Sequence, residues 1–224
     1  MDDALVWLSV ASVAFVGSHF AMSHPLRPLL TRLGEKGFLL VYNLVSLATL
    51  IWMAQAFRRA PAADLPGSGT LGWTLSTILT LPALLLFLGS LTPRNPSFPS
   101  PMAAKAAQAQ PAGAFLVTRH PMMWGFALWA VSHLILWWSW RTDIVACAIL
   151  VLALLGSWLQ DRKKERLMGE AWHGWETRTS FVPRLSAFAQ VGWVLWALAL
   201  VAWLVISWIH LPLGGVEAGV WRWL

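Results

Sequence analysis

"TRHPMMWGFALWAVSHLILWW", residues 118–138, sets Thr-Arg-His-Pro at the head of an apolar run and places a second histidine, His133, well inside it. About 20 such residues are enough to carry a helix across the roughly 30 Å hydrocarbon core of a bilayer. Pro121 suits the first turn of that helix, where the missing N–H would have had no partner anyway. Arg119, His120 and His133 then need a reason, because ionisable side chains at membrane depth are costly and usually paired or functional.

The rest of the chain agrees with this reading. Of its 224 residues, 58% are apolar and only 12% are charged, whereas a soluble domain carries about a quarter charged residues. Six runs are long enough to span: 4–22, 37–57, 70–91, 115–138, 143–159 and 191–210. The expected fold is all-α, a single polytopic membrane bundle of about six helices over residues 1–224. Asp2 and Asp3 precede the first run where a cleavable signal needs a basic start, so that run is expected to remain as a helix. The lone Cys147 excludes an internal disulfide.

Twelve of the 16 Lys and Arg residues fall in the first, third and fifth connections, and only Arg58, Arg59, Arg141 and Arg222 lie on the other side. Basic residues stay cytoplasmic, so both termini are expected to be periplasmic if the host membrane is a bacterial inner membrane. The net charge of +6 reflects this orientation, and no nucleic-acid partner is implied. Trp137, Trp138 and Trp140 form an aromatic belt where the fourth span should emerge. Residues 92–113, rich in Pro, Ala and Ser, read as a disordered connection or a lid. Residues 160–184 mix charge with Leu167, Trp172, Trp175 and Phe181, the pattern of an amphipathic interfacial helix.

His19 lies about 22 Å along the first span from Ala4, and His120 opens the fourth. Both are expected near the cytoplasmic side, where two imidazoles from facing helices could grip one haem iron. On an unbroken helix His133 is rotated about 220° from His120 but only about 40° from Arg119, so His120 and His133 cannot share a metal. Each histidine also has a plainer reading, as a helix-end or interhelical hydrogen-bonding group.

Three blocks carry a resemblance: "GSHFAMSHPLRPLLTRLGEKGFLLVYNLVSLATLIW", "VTRHPMMWGFALWAVSHL" and "DRKKERLMGEAWHGWETRTSFVP". Together they resemble the NnrU family of bacterial membrane proteins, which implies a link to nitrogen-oxide metabolism (denitrification) and, as partners, components of nitrite and nitric oxide reductases. The blocks are also similar to the haem-b-dependent zeta-carotene isomerase, matching it at His19, Arg27, Gly34 and Glu35 and again at Arg119, His120, Pro121, Gly125, Ser132 and His133. That resemblance makes His19 and His120 the expected iron ligands, with His133 as the alternate. Arg27, Arg32 and Arg119 would hold the propionates, since Arg pairs well with carboxylates. Redox-controlled isomerisation of a lipid-soluble substrate would be the activity.

A wider likeness reaches the isoprenylcysteine and phospholipid methyltransferases through Arg119, His120, Pro121, Gly125, Asp161, Gly169, Trp172, Trp175 and Pro183. Met123 replaces a tyrosine of that pattern and Gln160 one acid of a pair. This likeness implies an S-adenosylmethionine site beside Arg119, His120 and Asp161. A third expectation is non-enzymatic, an assembly or regulatory partner of nitrogen-oxide reductases.

Overall fold

The computed structural model describes residues 2–100 and 102–224. Its α-helices, in chain order, are α1 (Asp3–Ser23), α2 (Arg27–Leu30), α3 (Gly34–Arg59), α4 (Gly69–Ser90), α5 (Ala103–Gln108), α6 (Pro121–Leu136), α7 (Trp140–Met168), α8 (Glu170–Arg178) and α9 (Trp193–Gly214). No strand occurs among the described residues. Five stretches, containing α1, α3, α4, α7 and α9, are long and apolar enough to cross a membrane. The chain is a multi-pass membrane protein.

The long helices pack in a row, α3 on α1, α1 on α7, α7 on α6, α6 on α4 and α4 on α9. α4 and α6 approach closely at Gly125. A Cβ added at Gly125 would lie 2.7 Å from the Ala83 carbonyl oxygen and 3.1 Å from the Phe87 amide nitrogen. Small residues let membrane helices approach this closely, which accounts for the motif glycine through packing. Nearby, the Ser76 hydroxyl donates to the Ser132 carbonyl at 2.5 Å.

The sixth expected span differs from the sequence reading. The apolar run over 115–138 is helical only over the 16 residues Pro121–Leu136, about 24 Å and short of a full crossing. Both ends stop because the backbone finds other partners. On one side the Arg119 amide donates to the Ser180 carbonyl at 2.8 Å, and the Arg184 amide donates to the Val117 carbonyl at 2.9 Å. On the other, the Gly67 and Ser68 amides donate to the Trp137 and Leu136 carbonyls at 2.9 and 3.0 Å, and Trp137 turns left-handed with φ 49°. Irregular backbone at membrane depth survives only where protein satisfies it.

Residues 160–184 are likewise not one interfacial helix. Residues 160–168 finish α7, Gly169 breaks it with φ 53°, α8 follows, and 179–184 run back along residues 117–119. A side chain is strained at such a φ, and glycine is not.

The connection after α4 is tied down as a lid on this end of the bundle at residues 96–98 and 107–109. Gln160, one turn before Lys164 on α7, donates to the Ser97 carbonyl at 2.9 Å. The buried Lys164 ammonium donates to the carbonyls of Pro96 at 2.7 Å and Phe98 at 3.3 Å. Arg178 donates to the carbonyls of Ala107, Gln108 and Ala109, capping α5 as a basic residue caps a helix C-terminus. Ala107 and Phe115 then pack on Trp172 and Trp175 of α8. Lys164→Met keeps the stem of this side chain but removes its donors. It is expected to expose residues 95–98 to protease at least tenfold faster while the bundle's thermal midpoint moves by only a few degrees; unchanged cleavage would show that Lys164 does not hold the lid.

Candidate functional site

At the end of the bundle that carries the basic connections, residues 117–120 form a buried strap leading into α6. Its hydrogen bonds to 180–184, reinforced by the Thr118 hydroxyl donating to the Phe181 carbonyl at 2.7 Å, hold the backbone where helical geometry would otherwise carry on. The strap turns two consecutive side chains onto one acid of α7. Arg119 donates from Nε at 2.9 Å and from Nη2 at 2.6 Å to Oδ2 of Asp161. His120 donates from Nε2 to Oδ1 of the same carboxylate at 2.6 Å. Glu176 of α8 approaches the same Nη2 of Arg119 at 3.4 Å.

Aromatic rings enclose these groups. The Arg119 guanidinium lies over the Phe181 ring, 5.3 Å from its centroid, and the His120 ring has Phe181 at 5.6 Å and Trp172 at 6.4 Å. With Nε2 committed to Asp161, the other ring nitrogen of His120, Nδ1, is buried and has no partner among the described residues. Burial, and next the neighbouring Asp161 carboxylate, raise the Glu176 carboxyl above its ordinary range against the pull of Arg119. A cavity of about 270 Å³ opens over the cluster, lined by Arg119, Trp158, Asp161, Arg162, Glu165, Glu176 and Phe181.

This cluster is built from the Thr-Arg-His-Pro block and the Asp161-to-Phe181 block, two of the three blocks that carry the resemblance. The NnrU protein family model matches residues 7–218. The chain belongs to the NnrU family. No curated protein and no solved structure matches it.

The NnrU chain places the other expected site residues elsewhere. His19 is on α1, where its Nδ1 donates to the Phe15 carbonyl at 2.7 Å and its ring stacks with Phe15 at 4.4 Å and Tyr42 at 5.5 Å. It shares no partner with His120. Arg27 lies over the Phe38 ring at 5.0 Å, and Arg32 is exposed at the end of the 3-10 turn Thr31–Leu33. Of the three arginines, only Arg119 stands beside His120. His133 bonds within its own helix, Nδ1 to the Trp129 carbonyl at 2.8 Å, with the Trp129 ring 4.3 Å away. The expected shared face of Arg119 and His133 assumed one continuous helix, but the helix begins at Pro121 and Arg119 belongs to the strap.

These positions bear on the haem clamp. A porphyrin gripped from both faces needs one free nitrogen of each imidazole aimed into a common gap. Nε2 of His120 is bound to Asp161 and its free Nδ1 is buried, while His19 sits in an aromatic column between α1 and α3, and α1 packs on α3 and α7 rather than on α6. The lining of the 270 Å³ cavity includes neither imidazole. As arranged here, the His19–His120 pair does not fit that group. His120 alone has the carboxylate support typical of a metal-ligating histidine, yet no group of three or more His, Cys, Asp or Glu among the described residues could hold a metal ion.

Sequence reading missed Glu165, Glu176, Trp158 and Phe181 as lining residues. For Glu176 a signal was present, because it stands one helical turn after Trp172 and so shares its face.

Proposed function

We propose that this family member binds a small zwitterionic cofactor of the S-adenosylmethionine class in the cavity over Arg119 and uses it for methyl transfer to a lipid-soluble acceptor at the cytoplasmic face of the membrane. The observation that carries the reading is the joint engagement of Arg119 and His120 by Asp161 on the wall of a cavity that also offers Glu165 and Glu176. Such a lining answers both signs of charge: Arg119 and Arg162 suit a carboxylate, while Glu165 and Glu176 suit an ammonium group. Trp158 and Phe181 provide faces for a flat ring or a cation. Asp161 has a positioning role, since it holds the Arg119 fork and fixes His120 as an Nε2–H donor. When bound, the cofactor would supply an electrophilic methyl group; the chain itself supplies orientation through Arg119, Glu165 and Glu176 around the cavity.

The test is calorimetric titration of the detergent-purified protein with S-adenosylmethionine. Saturable binding is expected, weakened at least tenfold in Arg119→Ala and retained in Arg58→Gln. Absence of binding to the unaltered protein rejects the reading. The raised carboxyl of Glu176 sets a direction for pH: a ligand cation held by it should bind more weakly as pH falls through the upper carboxylate range, where Glu176 takes up its proton before an ordinary glutamate would. An absorption spectrum of the same preparation provides an independent check. A Soret band that disappears in His19→Ala/His120→Ala would replace this reading with the haem one.

A further inference from the structure

A second cluster at the same end of the bundle lies outside this cavity. The Phe20 ring of α1 is 3.7 Å from where a Cβ would stand on Gly156 of α7, so the end of α1 packs on that face. Lys163 is seven residues on, about 20° away around the helix and about 10 Å further along it. It therefore lies beyond the last turn of α1, at the level of residues 24–27, and Arg166 follows three residues later on nearly the same face. Burial, and then Lys163, Arg166 and Arg27 in turn, hold the His24 imidazole below its ordinary value. Among the described residues no carboxylate forms an ion pair with Arg27, Lys163 or Arg166.

Cations collected from two elements without a counter-charge repel one another, and an anion relieves that repulsion. The surroundings favour one on a lipid. Leu26, Leu29 and Leu33, on and beside α2, are exposed at 45%, 58% and 60%, so this short turn presents leucines between its basic residues. Leucines set in acyl chains with arginines at phosphate level are the pattern of an interfacial anchor. Arg27, over the Phe38 ring, also sits at the foot of the aromatic column Phe38, Tyr42, His19 and Phe15, which fixes its guanidinium beside the end of α1.

We propose that His24, Arg27, Lys163 and Arg166 form a binding site for the phosphate group of an anionic phospholipid, seated between the end of α1, α2 and α7.

Native mass spectrometry of the full chain can test this, after detergent extraction and exchange into mixed micelles of phosphatidylglycerol and phosphatidylcholine. Retention of phosphatidylglycerol over phosphatidylcholine is expected in the unaltered protein. Preference should fall roughly thirty-fold in Arg27→Gln/Lys163→Gln, the equivalent of about 1 kcal/mol per basic residue near an anionic surface. Lys163→Arg, which keeps the charge, and Arg58→Gln/Arg59→Gln at the opposite end should retain it. Displacement of the lipid by millimolar inorganic phosphate would assign the site to free phosphate and overturn the lipid source. Equal retention of the two lipids, or the same loss in the Arg58/Arg59 variant, overturns the site itself.

Discussion

Asp161→Ala should cost the protein about 3–5 kcal/mol, the range found when one member of a buried ionic group is removed. Side-chain exposure decides which regime applies. Arg119, Asp161 and His120 are 13%, 7% and 0% exposed, so their charges are poorly solvated and the near-zero value of a surface pair does not hold. Without the carboxylate, the guanidinium keeps only Glu176 at 3.4 Å, and His120 is left with neither ring nitrogen bonded. Asp161→Asn retains an oxygen acceptor but loses the charge, so it should fall between the two. Denaturation in mixed detergent micelles gives the comparison directly. If Asp161→Ala stays within 0.5 kcal/mol of the unaltered protein, water reaches the cluster and the joint engagement does not hold the strap.

The second large effect is expected at Trp172. Its side chain is fully buried and packs with Ala107, Phe115 and Trp175, joining α8 to the lid and to the strap entering α6. Truncating a buried tryptophan to alanine costs about 3–5 kcal/mol, part lost transfer energy and part cavity. Of the residues packed in this cluster only Met168, the last of α7, belongs to a long span, so the loss should be mainly local. Hydrogen exchange is expected to speed up at least a hundredfold over α5 and α8 in Trp172→Ala, with little change in α4 and α7. Uniform acceleration along the chain would show that α8 belongs to the same cooperative unit as the spans. Trp172→Phe should be milder, since most of the apolar volume remains.

The two effects separate the layers of the molecule. Asp161 secures the site from α7, and Trp172 secures the cover above it. A ligand in the Arg119 cavity would touch both layers through Phe181 and Glu176. Motion of α8 and ligand exchange are thus expected to share residues, which fits segments that move being drawn from the less stable parts of a fold.

How far this could be read from the chain differs between fold and site. Hydropathy alone places the five long helices, because lipid permits few alternatives to a satisfied helix. It overextends the sixth. Phe115, Leu116 and Val117 are as apolar as the residues of α6, and composition does not reveal that the backbone of Val117 and Arg119 bonds to a segment more than sixty residues later. The division at Gly169 was visible as a glycine between two helical patterns, but the return of 179–184 to the strap was not.

Local pattern determined that this is a membrane-crossing helical bundle, that Arg119, His120 and Pro121 mark the head of a helix, and that one end is basic. These follow from hydrophobic length, a fixed φ at proline and charge, all of them properties of short segments. Only the tertiary structure decided that His120 meets Asp161 rather than His19, that Glu176 supplies a second acid to Arg119, and that the connection after α4 is tied to α7 and α8. Each of those is a contact between distant segments, set by which helices lie next to α7 and by where buried polar groups find partners, and no local periodicity carries that information.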